Sequence, residues 1–216
     1  PATPDTVFPP HAAGSHIDLH LGNGLVRSYS LMNPITDKQR YVVGVLKDRQ
    51  SRGGSKYVHE KVRVGDVLDI SVPRNNFPLE ERAQHSVLVA GGIGITPMLC
   101  MLNRLASLGR SAELLYFARS RRDAAFLQVL ESMESGQLKV RYHFDDEVGA
   151  SPDLPTLLAA YPASSIHAQD DSINIRCWIS SISISRNDIP KSKPSKVSIP
   201  EIKPPKGVVI LKSNWE

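Results

Sequence analysis

Cysteine is scarce in this 216-residue chain: Cys100 and Cys177 are the only two. That excludes a disulfide framework, and it excludes a [2Fe–2S] centre, which needs four ligands from the chain. Cys100 falls within a helical pattern and reads as a small buried hydrophobe rather than a reactive thiol. No apolar run approaches the ~18 residues of a membrane span, and nothing resembles a signal peptide, so a cytoplasmic protein is expected although the chain opens at Pro1. Aromatics make up only 6% of residues. The basic residues behind the net charge of +4 are not interleaved with them on a helix face, which argues against nucleic acid as a partner. What remains is a globular composition, 41% apolar, long enough for two small domains.

The first third of the chain alternates in period two. Ile17, Leu19 and Leu21 stand against His16, Asp18 and His20; Leu25, Val26 and Tyr29 follow, then Tyr41, Val43 and Val45. Such alternation predicts antiparallel strands with one buried face, and Asn23-Gly24 predicts the hairpin turn between the first two. Arg27-Ser28-Tyr29-Ser30 lies on one of these strands. Arg27 offers a planar fork of donors to a phosphate, Tyr29 a flat face for a ring system, and Ser30 a hydroxyl close to that ring. Arg52-Gly53-Gly54-Ser55 then precedes a short helix predicted over Lys56 to Lys61, where glycines and unpaired helix-start amides suit an anion.

From residue 83 the pattern changes. Ser86 to Ala90 is a continuous apolar run of the buried parallel-strand type. It feeds into Gly91-Gly92-Ile93-Gly94-Ile95-Thr96-Pro97, with Thr96 expected as N-cap, Pro97 as the first helical residue and Gly109 as the helix stop. Strand, glycine turn and helix present amides to a pyrophosphate. Strands over Glu113 to Ala118 and Lys139 to Phe144, with helices near Ala124 to Glu134 and Leu154 to Tyr161, complete a doubly wound α/β pattern.

Four segments, in order, carry a specific resemblance: Arg27-Ser28-Tyr29-Ser30-Leu31, Arg52-Gly53-Gly54-Ser55, Pro73-Arg74-Asn75-Asn76-Phe77-Pro78-Leu79, and Leu88 through Met98. From about Phe8 to His167 the chain resembles the ferredoxin-reductase-like flavoproteins, most closely the phthalate dioxygenase reductase and vanillate demethylase reductase branch. The resemblance implies an incomplete antiparallel flavin-binding barrel over residues 1–82 and a doubly wound parallel-sheet NAD(P)-binding domain over 83–168. A Ser/Ile/Lys/Pro-rich tail fills 169–216. It implies FMN, with FAD open, held by Arg27, Ser28, Tyr29, Ser30, Gly53, Gly54 and Ser55. It implies NADH or NADPH held by Gly91, Gly92, Gly94, Thr96, Pro97, Arg119 and Ser120. Ser30 would approach the flavin N5 and Thr96 the nicotinamide, making these two the expected catalytic residues; hydride passes to flavin N5 and single electrons leave. The expected partner is an oxygenase component or a ferredoxin-like acceptor. A free-standing flavin, quinone or ferric reductase and a non-catalytic remnant are the alternatives.

Smaller signals are weighed beside these. Arg119-Ser120-Arg121-Arg122 follows the second strand of the nucleotide pattern, where arginines favour a ribose 2′-phosphate; the branch carries an aspartate at Ser120, so both nucleotides stay open. His11, His16 and His20 read as solvent-facing rather than as a metal site, since His16 and His20 lie roughly 13 Å apart along a strand. Asp145, Asp146 and Glu147 read as an acidic loop. Relative to the family, the first barrel strands and the Cys-Gly-Pro segment are missing, Ala168-Gln169-Asp170-Asp171 standing where the latter is expected, and Cys177 is not its counterpart. Ile182 and Ile184 alternate with serine before Pro190, Pro194, Pro200, Pro204 and Pro205 punctuate the tail, which reads as loosely structured or added late. A frameshift, a gene-model error or a divergent exon is the expected origin, and genomic sequence encoding Cys-Gly-Pro in another frame is its test.

Overall fold

The computed structural model describes residues 8–149, 154–161, 165–170 and 208–213. Cys177, the Ile182 and Ile184 alternation and the five tail prolines lie outside them.

The period-two segments form strands β1 (Ser15–His20), β2 (Val26–Ser30) and β3 (Tyr41–Leu46). β1 and β2 pair antiparallel, with Ile17 opposite Tyr29 and Leu19 opposite Arg27. The short strands β4 (Asp69–Ile70) and β5 (Arg74–Asn75) add to the other edge of β1. β2 reaches β3 through an antiparallel bridge from Leu31 to Val43. Ile17, Leu19, Leu31, Tyr41, Val43 and Val45, all at most 1% exposed, fill the interior with Phe8 and Val58. Asn23-Gly24 does turn the first hairpin: Leu21 donates to Leu25 across it and Gly24 takes φ 79°. Val26, expected to pack, is 44% exposed because the strand only begins there.

The second half is the parallel sheet that the α/β pattern predicts. Strands β6 (His85–Gly91), β7 (Ser111–Ala118), β8 (Leu138–Phe144) and β9 (Ser165–Asp170) lie in the order β8-β7-β6-β9, all parallel. Helix α1 (Gly54–Lys61) belongs to the first half, and α2 (Ile95–Ser107) and α3 (Leu127–Met133) cover one face of this sheet. That face buries Leu88, Met98, Leu102, Leu105, Leu114 and Tyr116. α2 is apolar almost all round and therefore buried, as such a helix must be. It ends in a Schellman motif: Arg110 donates to Leu105, Gly109 donates to Ala106, and Gly109 takes φ 63°.

Several expectations are corrected. Asp145, Asp146 and Glu147 are not a loop but the short helix α4 (Asp145–Val148), closed by Gly149 at φ 78°; three carboxylates in a first turn favour the positive helix end. α3 begins three residues later than expected because Phe126 adopts a left-handed backbone, φ 63°, and α5 (Leu154–Leu158) stops three residues early. His11 is buried instead of solvent-facing. Its Nε2 lies 3.2 Å from the Asn33 carbonyl, its ring stands edge-on to Tyr41, and burial lowers its pKa. Part of the tail is ordered: β10 (Val208–Ser213) pairs parallel with β3. Cys100 is buried as expected, and burial pushes its thiol up to about 12. Among the described residues no cluster could hold a metal ion, and no helix is long and apolar enough to cross a membrane.

Two measurements test these packing assignments. Leu88→Ala empties part of the core under α2 and is expected to cost about 3 kcal/mol in urea unfolding. Asp18 accepts from Ser28 at 2.6 Å and pairs with Arg74. Burial alone would raise its pKa, but those two partners outweigh it and hold the carboxyl below its ordinary value. Stability from this carboxylate is complete above the unfolded pKa and is lost as pH falls through the depressed folded one. Asp18→Asn is expected to flatten the acid limb of a plot of unfolding free energy against pH.

Candidate nucleotide and flavin site

The turn after β3 is built to leave backbone donors available. Gly53 takes φ 91°, the left-handed region that glycine enters without strain, and so turns the chain into α1. Ser51 Oγ accepts from the amides of Gly53, at 3.2 Å, and Lys56, at 3.2 Å. Ser55 donates its hydroxyl to Ser51 at 2.9 Å. Gly54 and Ser55 sit in the first turn, where amides have no intrahelical acceptor. Over them lies Arg27: a Cβ added to Gly54 would stand 2.6 Å from Arg27 Nε. The Arg27 fork is anchored to the carbonyls of Val26, at 2.8 Å, and Arg52, at 3.4 Å. Sequence-distant Arg27, Gly53, Gly54 and Ser55 are thus brought together as one cationic, amide-lined corner, the donor set a phosphate requires.

β2 alternates around that corner. Arg27 and Tyr29 share the face of Leu19 and Ile17, whereas Ser28 and Ser30 share the face of Asp18 and His16. Ser28 commits its hydroxyl to Asp18. Tyr29 is half-buried against the barrel interior, and burial raises its phenol pKa, partly offset by Arg27. Arg27 and Tyr29 are therefore the two members of the motif that could present phosphate contact and ring face on one side.

The glycine turn departs from the expected capping. Gly91 ends β6, Gly92–Gly94 form a 3₁₀ turn, and α2 starts at Ile95. Thr96 is the second helical residue rather than the N-cap, and Pro97 the third rather than the first; the 3₁₀ turn extends the helix start by two residues. Thr96 donates its hydroxyl to the Ile93 carbonyl at 3.1 Å. A first-turn proline costs nothing there, since its missing N–H has no partner in the helix. Gly92 takes φ 50°, and an added Cβ would meet nothing within 4 Å. The turn therefore opens at the C-terminal end of β6, where the strand order reverses between β6 and β9, the place at which open α/β sheets bind ligands.

Three residues outside the sequence motifs hold the turn in place. Gly44, in the middle of β3, packs directly beneath Thr96: an added Cβ would lie 2.8 Å from Thr96 Cγ2, 3.0 Å from Met32 Sδ and 3.3 Å from Phe126 Cζ. Met32 follows two residues after Ser30. Tyr116, fully buried on β7, donates its hydroxyl to the Gly92 carbonyl at 3.1 Å and accepts from the Ala125 amide at 2.8 Å. Burial pushes this phenol well above its ordinary range. The signal for Gly44 was available, because a lone glycine within an apolar strand marks close backbone approach. Nothing in the sequence marked Tyr116.

Beyond β7, Arg119 is exposed and its carbonyl accepts from Asp146 at 3.0 Å. Ser120 accepts the Asp123 amide at 3.1 Å. Arg121 pairs with Glu147 at 3.3 Å and lies 4.7 Å from the Phe144 ring centroid.

The matches to known proteins agree with this arrangement. The chain is 51% identical to a vanillate O-demethylase oxidoreductase of Pseudomonas sp. (strain HR199 / DSM 7063) over 154 residues, 71% of this chain and 47% of that one. It is 49% identical to a tetrachlorobenzoquinone reductase of Sphingobium chlorophenolicum over 146 residues, 67% of this chain and 45% of that one. The phthalate dioxygenase reductase structure superposes with a TM-score of 0.70 at 30% identity, covering 98% of this chain and 61% of that one. The chain belongs to the ferredoxin-reductase-like flavoproteins, in the phthalate dioxygenase reductase and vanillate demethylase reductase branch. It spans about half the length of the curated relatives it matches. No family model matches the chain.

Within this family member, two substitutions test the geometry. Gly54→Ala drives a methyl into Arg27 and is expected to weaken flavin retention at least about tenfold in a fluorescence titration, with unchanged far-ultraviolet circular dichroism. Tyr116→Phe strands the Gly92 carbonyl and the Ala125 amide, and is expected to lower urea-unfolding stability by about 1–3 kcal/mol.

Proposed function

We propose that this chain is the flavin- and nicotinamide-binding core of an NAD(P)H oxidoreductase, the reductase component of an aromatic-ring oxygenase or O-demethylase system. The observation that supports this reading is the gathering of Arg27, Gly53, Gly54 and Ser55 at the start of α1, together with a Gly91 to Pro97 turn whose Thr96 packs on Gly44 of β3. The proposed division puts flavin binding in residues 1–82 and nucleotide binding in 83–168.

A flavin held there would supply the capacity to take up a hydride from a reduced nicotinamide and to give electrons up singly. The chain's own part is positional. Arg27 and the amides of Gly54 and Ser55 hold the phosphate end; the single phosphate corner favours FMN over FAD. Tyr29 supplies a ring face, and Ser30, one strand position further, supplies a hydroxyl. The Gly91 to Gly94 turn and the start of α2 receive the nucleotide pyrophosphate. Thr96, pressed onto Gly44, sets how closely a nicotinamide can approach. Exposed Arg119 supports NADPH, and the same loop accepts NADH in our reading because Ser120 brings no charge of either sign. The proposed acceptor of those electrons is an oxygenase component or a ferredoxin-like protein.

A second reading, a chain that binds flavin but turns over poorly, is favoured by one observation. β9 ends in Gln169-Asp170, paired to Ala90 and Gly91 of β6, where the family has Cys-Gly-Pro.

An absorbance spectrum with and without added FMN or FAD, followed by anaerobic titration with NADPH and NADH, separates these readings. A yellow protein bleached by one nucleotide is the expected outcome. Flavin uptake without bleaching supports the second reading, and a colourless protein overturns both.

A further inference from the structure

β10 is unusual in its origin and its partner. It comes from the Ser/Ile/Lys/Pro-rich tail, separated from β9 by residues 171–207, yet it pairs with β3 near the middle of the flavin-binding half. Six consecutive positions are in parallel register, from Val208 opposite Tyr41 to Ser213 opposite Leu46. Ile210, opposite Val43, packs against the interior formed by Ile17, Leu31 and Tyr41. The sequence agrees with the placement. Val208-Val209-Ile210-Leu211 is an uninterrupted apolar run of the kind parallel strands carry.

β3 depends on that partner. Among the described residues, the segment that continues β2 reaches it through the Leu31–Val43 bridge, the donation from Met32 to the Val42 carbonyl and the donation from the Val42 amide to Asn33 Oδ1. Without β10, the side of β3 that carries the six pairings would present unpaired donors and acceptors along the chain from Tyr41 to Val43, with the Val45 carbonyl held by His59 Nε2 at 2.8 Å, and such an edge recruits a compatible strand. We infer that the outer edge of β3 is a strand-accepting surface, and that Val208–Ser213 is the ligand this chain carries for it, docked within the same molecule by main-chain pairing and the Ile210 anchor. Such recognition, a strand added to a sheet edge with alternate side chains entering the interior, is a known mode of peptide binding. The connecting 171–207 segment reaches on the order of 100 Å if extended, so it imposes no register of its own. Gly44, which carries Thr96, is paired with Leu211, so the docked strand also braces the strand on which the nucleotide turn rests. The inference concerns main-chain pairing and holds whichever cofactor the protein takes.

Hydrogen exchange on the full chain tests it. In Ile210→Asp, β3 amides from Tyr41 to Leu46 are expected to exchange at least about tenfold faster, while Val87 to Ala90 of β6 keep their protection. Unchanged β3 exchange overturns the inference. Paired cysteines supply a second measurement that does not depend on the stability of that variant. In a Cys177→Ser background, Val42→Cys with Val209→Cys is expected to form an intramolecular disulfide under mild oxidation, whereas Val42→Cys with Ser213→Cys is not. No in-register disulfide, or one that links two molecules, overturns docking within the chain. A synthetic Pro205–Ser213 peptide is further expected to restore β3 protection to the full-length Ile210→Asp chain, and failure to do so overturns the strand-accepting edge.

Discussion

The contact of Thr96 with Gly44 is the constraint on which the rest of this molecule depends. Two sheets of different construction, one largely antiparallel and the other parallel, meet here. They meet where β3 has no side chain. Gly44 lets the first turn of α2 come within van der Waals distance of the β3 backbone, and Met32 and Phe126 close the contact on either side. Any larger residue at Gly44 would press on Thr96, Met32 and Phe126 and displace the first turn of α2.

That contact is held from behind by one buried hydroxyl. Tyr116 bridges the Gly92 carbonyl and the Ala125 amide, which joins the turn to the left-handed backbone at Phe126. A left-handed non-glycine residue is costly and persists only where its surroundings over-determine it. Here the hydroxyl and the Gly44 contact do so together. The turn is therefore pre-organised by packing on β3 and by a hydrogen bond from β7.

Much of this was legible in the residues. Period-two alternation located β1 and β3, the apolar run from Ser86 located β6, and Gly109 located the end of α2, because each signal is local and strong. The boundaries that slipped did so for tertiary reasons. α3 starts late because Phe126 is pulled into a left-handed conformation, and Thr96 is not a cap because a 3₁₀ turn precedes it. His11 was expected in solvent because a lone histidine beside alanines and a glycine carries no periodic signal; only the packing of Tyr41 and Asn33 buries it. The acidic run at Asp145 became helical because helix N-termini favour negative charge, a preference that composition alone does not convert into a boundary.

By itself the sequence determined the main strands β1, β3, β6, β7 and β8 and helix α2, the change from alternating to continuous apolar strands near residue 83, and the residue types offered to a phosphate and a ring system. Those follow from backbone periodicity, turn chemistry and donor geometry, which act over a few residues. Only the tertiary structure decided that Arg27 lies over Gly54, that Ser28 turns away to Asp18, that Gly44 and Tyr116 hold the glycine turn, and that Val208–Ser213 completes the edge of β3. Each of these joins residues at least ten, and mostly more than twenty, positions apart, and which partner a strand edge or a buried hydroxyl finds is settled by the packing of the whole chain rather than by its neighbours along it.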